Sequence, residues 1–135
     1  MDELAIEAEQ VGQGARLFVL PKHFGAHLML TVERAVYDAL KELAPEHDAA
    51  YWHYYELSNG GFYIAPAAES VRVRVRESDF DEVLSSDAAG ILACLFAYGR
   101  MSSVYASEAL ADHFYWLRDF AQEHPEGGKI LSAID

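Results

Sequence analysis

Six histidines, a single cysteine and a run of alternating arginines are the residues of this 135-residue chain with the most chemical reach. His23 and His27 stand four apart, a spacing that puts two imidazoles on one helix face and suits a zinc site. Phe24-Gly25 lies between them, no third ligand follows at a recognisable distance, and neither HExxH nor CxxC occurs. His53 and Glu56, three apart in an extended stretch, point to opposite faces and make no local acid–base pair. Asp112 and His113 are helix neighbours and diverge as well. Asp79, Asp81 and Asp87 lack the fixed glycine and ligand spacing of a calcium loop. Nucleophile elbow, phosphate loop and dinucleotide fingerprint are all missing. The residues therefore assign no catalytic group, no metal site and no cofactor.

Cys94 sits in ILACLF, where a thiol acts as a small buried apolar residue. The ladder Arg72, Arg74, Arg76 in VRVRVR would make a phosphate-binding stripe; its plainer reading is a polar sheet face partnered by neighbouring acids. The aromatics of YWHYYELSNGGFYIAP, residues 51–66, could stack bases as sheet aromatics do in RNA binders. Filling a core is the commoner use of such side chains.

HLMLTVERAVYDALKEL repeats at helical spacing, with Leu28, Val32, Val36, Ala39, Leu40 and Leu43 on one face, and Pro45 ends it. Pro21 and Gly25 are expected to interrupt any helix ahead of it. Asn59-Gly60 predicts a two-residue type I′ hairpin turn. That turn pairs Leu57 with Phe62 and Tyr55 with Ile64, placing His53, Tyr55, Leu57, Phe62 and Ile64 on the core face. Trp52, Tyr54, Glu56 and Tyr63 then share the other face. Val71, Val73 and Val75 alternate inward, giving a third strand of an antiparallel meander. LSSDAAGILACLFAYG reads as a buried helix capped by Ser85 or Ser86. A further helix from about 107 to 124 has Leu110, Phe114, Leu117 and Ala121 inward, and a short piece follows Pro125. Strands bracketed by helices indicate an α+β fold: a small antiparallel sheet of at least three strands packed with several helices. The expected organisation is a loosely ordered segment over 1–15 and one domain over 16–135.

Hydrophobic residues make up 52% of the chain, enough for a core without disulfides, and the formal charge is −12. That charge disfavours direct DNA binding and leaves open a mimic of DNA's phosphate rows. No apolar run reaches membrane-spanning length, the acidic start MDELAIEAEQ is unlike a secretory leader, and the lone thiol fits a reducing compartment, so a cytoplasmic location is expected.

Several motifs occur in a telling order: Leu20-Pro21 with Phe24-Gly25, then YWHYYELSNGGFYIAP, LSSDAAGI, YWLRDFAQEHPE and the final ILSAID. Together, from about residue 16 to the end, they resemble the KlcA/ArdB antirestriction proteins. His47-Asp48-Ala49-Ala50 departs from that family's pattern of an aromatic, an acid and two glycines. The resemblance implies a small α+β protein encoded on plasmids or other mobile elements. Such a protein protects incoming unmodified DNA from the host's type I restriction enzymes and largely spares methylation. It supplies no catalytic residues to carry over. The leading reading is a non-catalytic inhibitor in the type I restriction pathway, acting directly or indirectly. The alternatives are an acidic DNA mimic that binds the restriction enzyme, or a cryptic nucleic-acid enzyme using His53, His113 or the aspartates. The candidate partner contacts are Arg16, Glu33, Glu56 and Asp135, joined by Trp52 and Tyr54 if their sheet face is open.

Overall fold

A computed structural model describes residues 5–47 and 51–134. The chain runs β1 (Ala8–Gln10), a single 3-10 turn, α1 (Arg16–Leu43), β2 (Trp52–Leu57), β3 (Phe62–Pro66), β4 (Ser70–Val75), β5 (Phe80–Ser85), α2 (Ser86–Tyr105), α3 (Glu108–Glu123) and α4 (Gly127–Ile134). Strands β1-β2-β3 form one antiparallel sheet and β4-β5 a second. The mixed α+β class follows, with the third strand of the main sheet supplied by β1 rather than by β4. Residues 8–10 carry no strand signal because all three are exposed. Their order comes from main-chain bonding to Tyr55, Glu56 and Leu57, which leaves no hydrophobic trace. The departure at 48–50 lies outside the described residues.

Helix α1 begins at Arg16, twelve residues ahead of the periodic stretch's Leu28, so Pro21 does not prevent a helix there. Burial of Val19, Leu20 and Phe24 explains this. Each such side chain contributes about 1.5–3 kcal/mol, together more than the roughly 3 kcal/mol an interior proline costs. Gly25 does break the helix, with φ 76° and ψ 161°, and two helical segments meet there at a kink.

The 51–66 hairpin forms in a different register. Glu56 pairs with Phe62, Tyr55 with Tyr63 and Tyr54 with Ile64. The loop has three residues, Ser58-Asn59-Gly60, closed by Gly60 N donating to Leu57 O and by Leu57 N to Gly61 O. Gly60 takes φ 103°, the bulge glycine of a three-residue loop rather than half of a type I′ pair. One residue of slip exchanges the faces. Trp52, Tyr54, Glu56, Phe62 and Ile64 lie together on the side of α1, while Tyr55 stacks on Tyr63. Trp52 and Tyr54 are each 8% exposed and Tyr63 1%, so the face left open by the sequence reading is core.

Helix α2 runs through the centre and passes Gly99 to end at Tyr105. One of its stripes, Gly90, Cys94 and Tyr98 at four-residue intervals, lies along the free edge of β3. The Tyr98 hydroxyl donates to Phe62 O (2.7 Å), and the Cys94 sulfur lies 3.5 Å from Ile64 N and 3.7 Å from Ile64 O. A Cβ on Gly90 would stand 2.5 Å from both Ala65 Cα and Ile64 O. The buried thiol thus serves an edge whose polar groups have no strand partner, and burial pushes its pKa up to about 12.

Candidate functional site

Four of the five described candidates converge between α1 and β2. The Arg16 guanidinium donates to Trp52 O (2.8 Å) and lies over the Tyr51 and Tyr54 rings at 4.8 and 4.7 Å. The Tyr54 hydroxyl donates to Glu33 (2.7 Å), and Tyr37 packs on Trp52 at 4.9 Å between ring centres. Burial, then the Glu33 carboxylate, raises the Tyr54 pKa far above its ordinary value. Tyr54 therefore stays a neutral donor. Arg16 and Glu33 are half-buried and turned inward, and the burial of Trp52 and Tyr54 removes the open face their candidacy required. Asp135 lies outside the described residues.

Glu56 belongs to an adjoining cluster. It accepts from Lys22 Nζ (2.8 Å) and lies 2.7 Å from His23 Nε2. The bond from Lys22 leads in holding its pKa below the ordinary carboxylate value. His23 stacks on Phe62 (5.1 Å) and meets His113 edge-on (5.0 Å). Burial lowers the His23 pKa more than Glu56 raises it. His113 is 2% exposed, and burial lowers its pKa to about 4, so the ring is neutral near pH 7. A cleft of about 250 Å³ opens here, lined by Lys22, His23, Asp112, His113 and Trp116. The kink at Gly25 separates half-buried His23 from exposed His27, so the i, i+4 pair does not converge. His53 bonds instead to Gln10 (3.1 Å).

A third cluster gathers residues from two of the sequence motifs. Ser85 caps α2 by accepting from Ala88 N (3.1 Å), and the Glu126 carboxylate takes both the hydroxyl and the main-chain N–H of Ser85. Asp87 accepts from the Tyr63 hydroxyl (2.6 Å) and from His124 Nε2 (2.8 Å). His124 Nδ1 accepts from Glu126 N (3.0 Å), which leaves the ring proton on Nε2. Burial opposes ionisation of Asp87, but these bonds outweigh it and lower its pKa. SxDAAG and HPE are thus two halves of one helix-start lock, with Gly90 admitting the strand behind it. Asn59 of the NGG turn likewise donates to Trp116 O (2.9 Å), tying that turn to α3.

Chemically, every carboxylate in these clusters already has a resident partner. The His23–Glu56 pair is the arrangement best suited to moving a proton, and no hydroxyl or thiol nucleophile is bonded to it. Among the described residues no group of three or more His, Cys, Asp or Glu could hold a metal ion. Lys22, Tyr37, His124 and Glu126 escaped the sequence reading because their partners Glu56, Trp52, Asp87 and Ser85 stand 34, 15, 37 and 41 residues away, with no shared period. The one available signal was the recurrence of polar residues inside the motifs themselves.

The comparisons agree with this architecture. Residues 45–135 match the antirestriction protein family. Antirestriction protein KlcA of Escherichia coli is 44% identical over 135 residues, covering 96% of this chain and 95% of the relative. A second E. coli KlcA is 39% identical, covering 96% and 94%, and the uncharacterised protein YfjX of strain K12 is 30% identical, covering 98% and 90%. A solved structure superposes with a TM-score of 0.90 at 43% identity, over 96% of this chain and 95% of the other. It comes from work on the KlcA and ArdB proteins, for which a novel fold was described, with antirestriction activity against type I DNA restriction systems in vivo but not in vitro. On sequence and fold together, the chain belongs to the antirestriction protein family.

Proposed function

We propose that this protein protects incoming unmodified DNA from type I restriction inside the cell, that it does so without catalysing a reaction, and that its route is indirect. The observation that carries the proposal is the match to a protein active in vivo but not in vitro. A DNA mimic needs only the purified restriction enzyme to act, so a relative that fails in that setting favours a route through another cellular component. The carboxylates of the three clusters, each already held by a resident donor, support a binding role over a chemical one. The test plates unmodified phage on a type I restricting host with and without the protein, beside a cleavage assay with purified enzyme. Higher plating with unaltered purified cleavage is expected. Equal plating on both strains would overturn the function. Strong, salt-sensitive inhibition of the purified enzyme would replace the indirect route with mimicry.

A further inference from the structure

Asn59 is the chain's only asparagine, and a glycine follows it. That dipeptide carries a chemistry of its own. The main-chain nitrogen of the following residue can attack the asparagine side-chain carbon, and a glycine, having no Cβ, obstructs ring closure least. The step forms a bond from Gly60 N to Asn59 Cγ and breaks the bond from Cγ to Nδ2. Ammonia leaves, made of the side-chain NH2 group and the proton of the Gly60 N–H. Water then opens the five-membered imide at either carbonyl. Opening at Cγ leaves aspartate at position 59. Opening at the main-chain carbonyl leaves isoaspartate, with the chain rerouted through the side chain. Water is the only co-reactant.

The fold opposes this attack at both reacting groups. The nucleophile must give up its proton, but the Gly60 N–H is engaged with Leu57 O (3.0 Å). The side chain must turn back onto Gly60 N, but both of its ends are held. Its Oδ1 accepts from Gly61 N (3.1 Å), and its Nδ2 donates to Trp116 O (2.9 Å). The Trp116 ring walls the turn, with atoms 3.6–3.7 Å from where a Gly60 Cβ would stand. Gly60 itself is exposed, so hydrogen bonding rather than burial keeps the site closed. Two of these bonds are internal to the turn, and the third depends on α3 being in place.

We propose that Asn59 is a self-modification site held shut by the docked α3, and that it converts to aspartate or isoaspartate when α3 leaves the hairpin. The conversion runs one way, because the ammonia is lost. An aspartate at 59 has no N–H for Trp116 O and sets a carboxylate against that carbonyl. An isoaspartate adds a main-chain carbon to the three-residue loop that fixes the β2–β3 register. Either product gives up the tie between the turn and α3, so a molecule that has opened closes less firmly afterwards. The turn thereby keeps a chemical record of each opening. This is a property of the purified chain and stands apart from the restriction reading.

The test follows the full-length protein over time at neutral pH, in buffer and in urea that unfolds it, by intact mass and by a peptide map that separates asparagine, aspartate and isoaspartate. Amide loss in urea should be confined to the peptide holding Asn59, and in buffer it should be slower by about tenfold or more. Ser107→Ala removes the side chain that caps α3. It should speed the loss in buffer about twofold or more and leave the rate in urea unchanged, with a thermal melt confirming that it is folded. Asn59→Asp, made directly, should melt below the parent, as should the isoaspartyl form separated from aged protein. Equal rates in buffer and in urea would overturn the proposal. So would the absence of amide loss at Asn59 in urea, a parent rate in folded Ser107→Ala, or product forms that melt as the parent does.

Discussion

Gly90 and Gly25 show how one residue type answers two different physical demands. A methyl at Gly90 would strike the main chain of β3 at 2.5 Å, and neither rigid element can give way cheaply. Gly90→Ala should lower stability by about 3 kcal/mol or more, at the upper end for overpacking, and a urea titration at neutral pH measures it. Gly25 has open space around its Cα, but its φ and ψ fall in a region other residues scarcely enter. Gly25→Ala should therefore cost about 1–3 kcal/mol through backbone strain alone. His113 gives a pH dependence. Its pKa is lowered from 6.5 to about 4 in the fold, so below pH 6.5 the unfolded chain takes up a proton that the folded chain refuses. Stability should fall as pH drops from 6.5 toward 4, by up to about 3 kcal/mol, with His23 acting in the same direction. Asp87, whose pKa is lowered, contributes its stabilisation above the ordinary aspartate pKa and withdraws it only below that window. Urea midpoints between pH 7 and 5 should show the slope, and His113→Gln should flatten it.

At the scale of elements, the hairpin and the short helix α4 are the instructive cases. Gly127 and Gly128 are neighbours with opposite tasks. A Cβ on Gly127 would lie 2.3 Å from Ala121 O, whereas Gly128 has nothing within 4 Å. Gly127→Ala should destabilise the docking of α4 on α3. Gly128→Ala should stabilise the protein by about 0.5–1 kcal/mol, because it restricts only the unfolded chain. Thermal melts of the pair, made side by side, check both signs. These elements also show what was legible beforehand. Val71, Val73 and Val75 alternate strictly, and the structure buries each of them as that pattern requires. Ser85 and Ser107 cap α2 and α3 in the way a serine before an apolar run should. The hairpin was read one residue out of register, which grouped Phe62 and Ile64 with Tyr55 instead of with Trp52 and Tyr54, because Asn-Gly fits two loop lengths; the bonds Asn59 makes with Gly61 N and Trp116 O go with the longer one. The polar clusters were illegible for a related reason: Glu33–Tyr54, Glu56–His23 and Asp87–His124 each join segments remote in sequence, and no local period encodes such a meeting.

For the whole molecule, the motifs that identify the family prove to be the contacts that hold the segments together. Substitutions in SxDAAG, NGG or HPE should therefore abolish protection by unfolding the protein. The phage-plating loss in Asp87→Ala should accompany a lowered melting temperature, in contrast to surface variants such as Arg76→Glu, whose melting temperature should stay near the parent's. No helix among the described residues is long and apolar enough to cross a membrane, and the acidic surface favours dispersal in water.

The seal that Gly90, Cys94 and Tyr98 place along β3 has a consequence for self-association. With that side closed, the main sheet can recruit a further strand only at β1, which is three residues long and carries Glu9. Short, charged edges resist such growth. Lifting α2 away would uncover an apolar strand edge, Phe62 to Pro66, able to pair with the same segment of another copy. Polymerisation on heating should then begin when α2 detaches, and a crosslink holding α2 to β3 should delay fibril or precipitate formation more than one placed between β4 and β5.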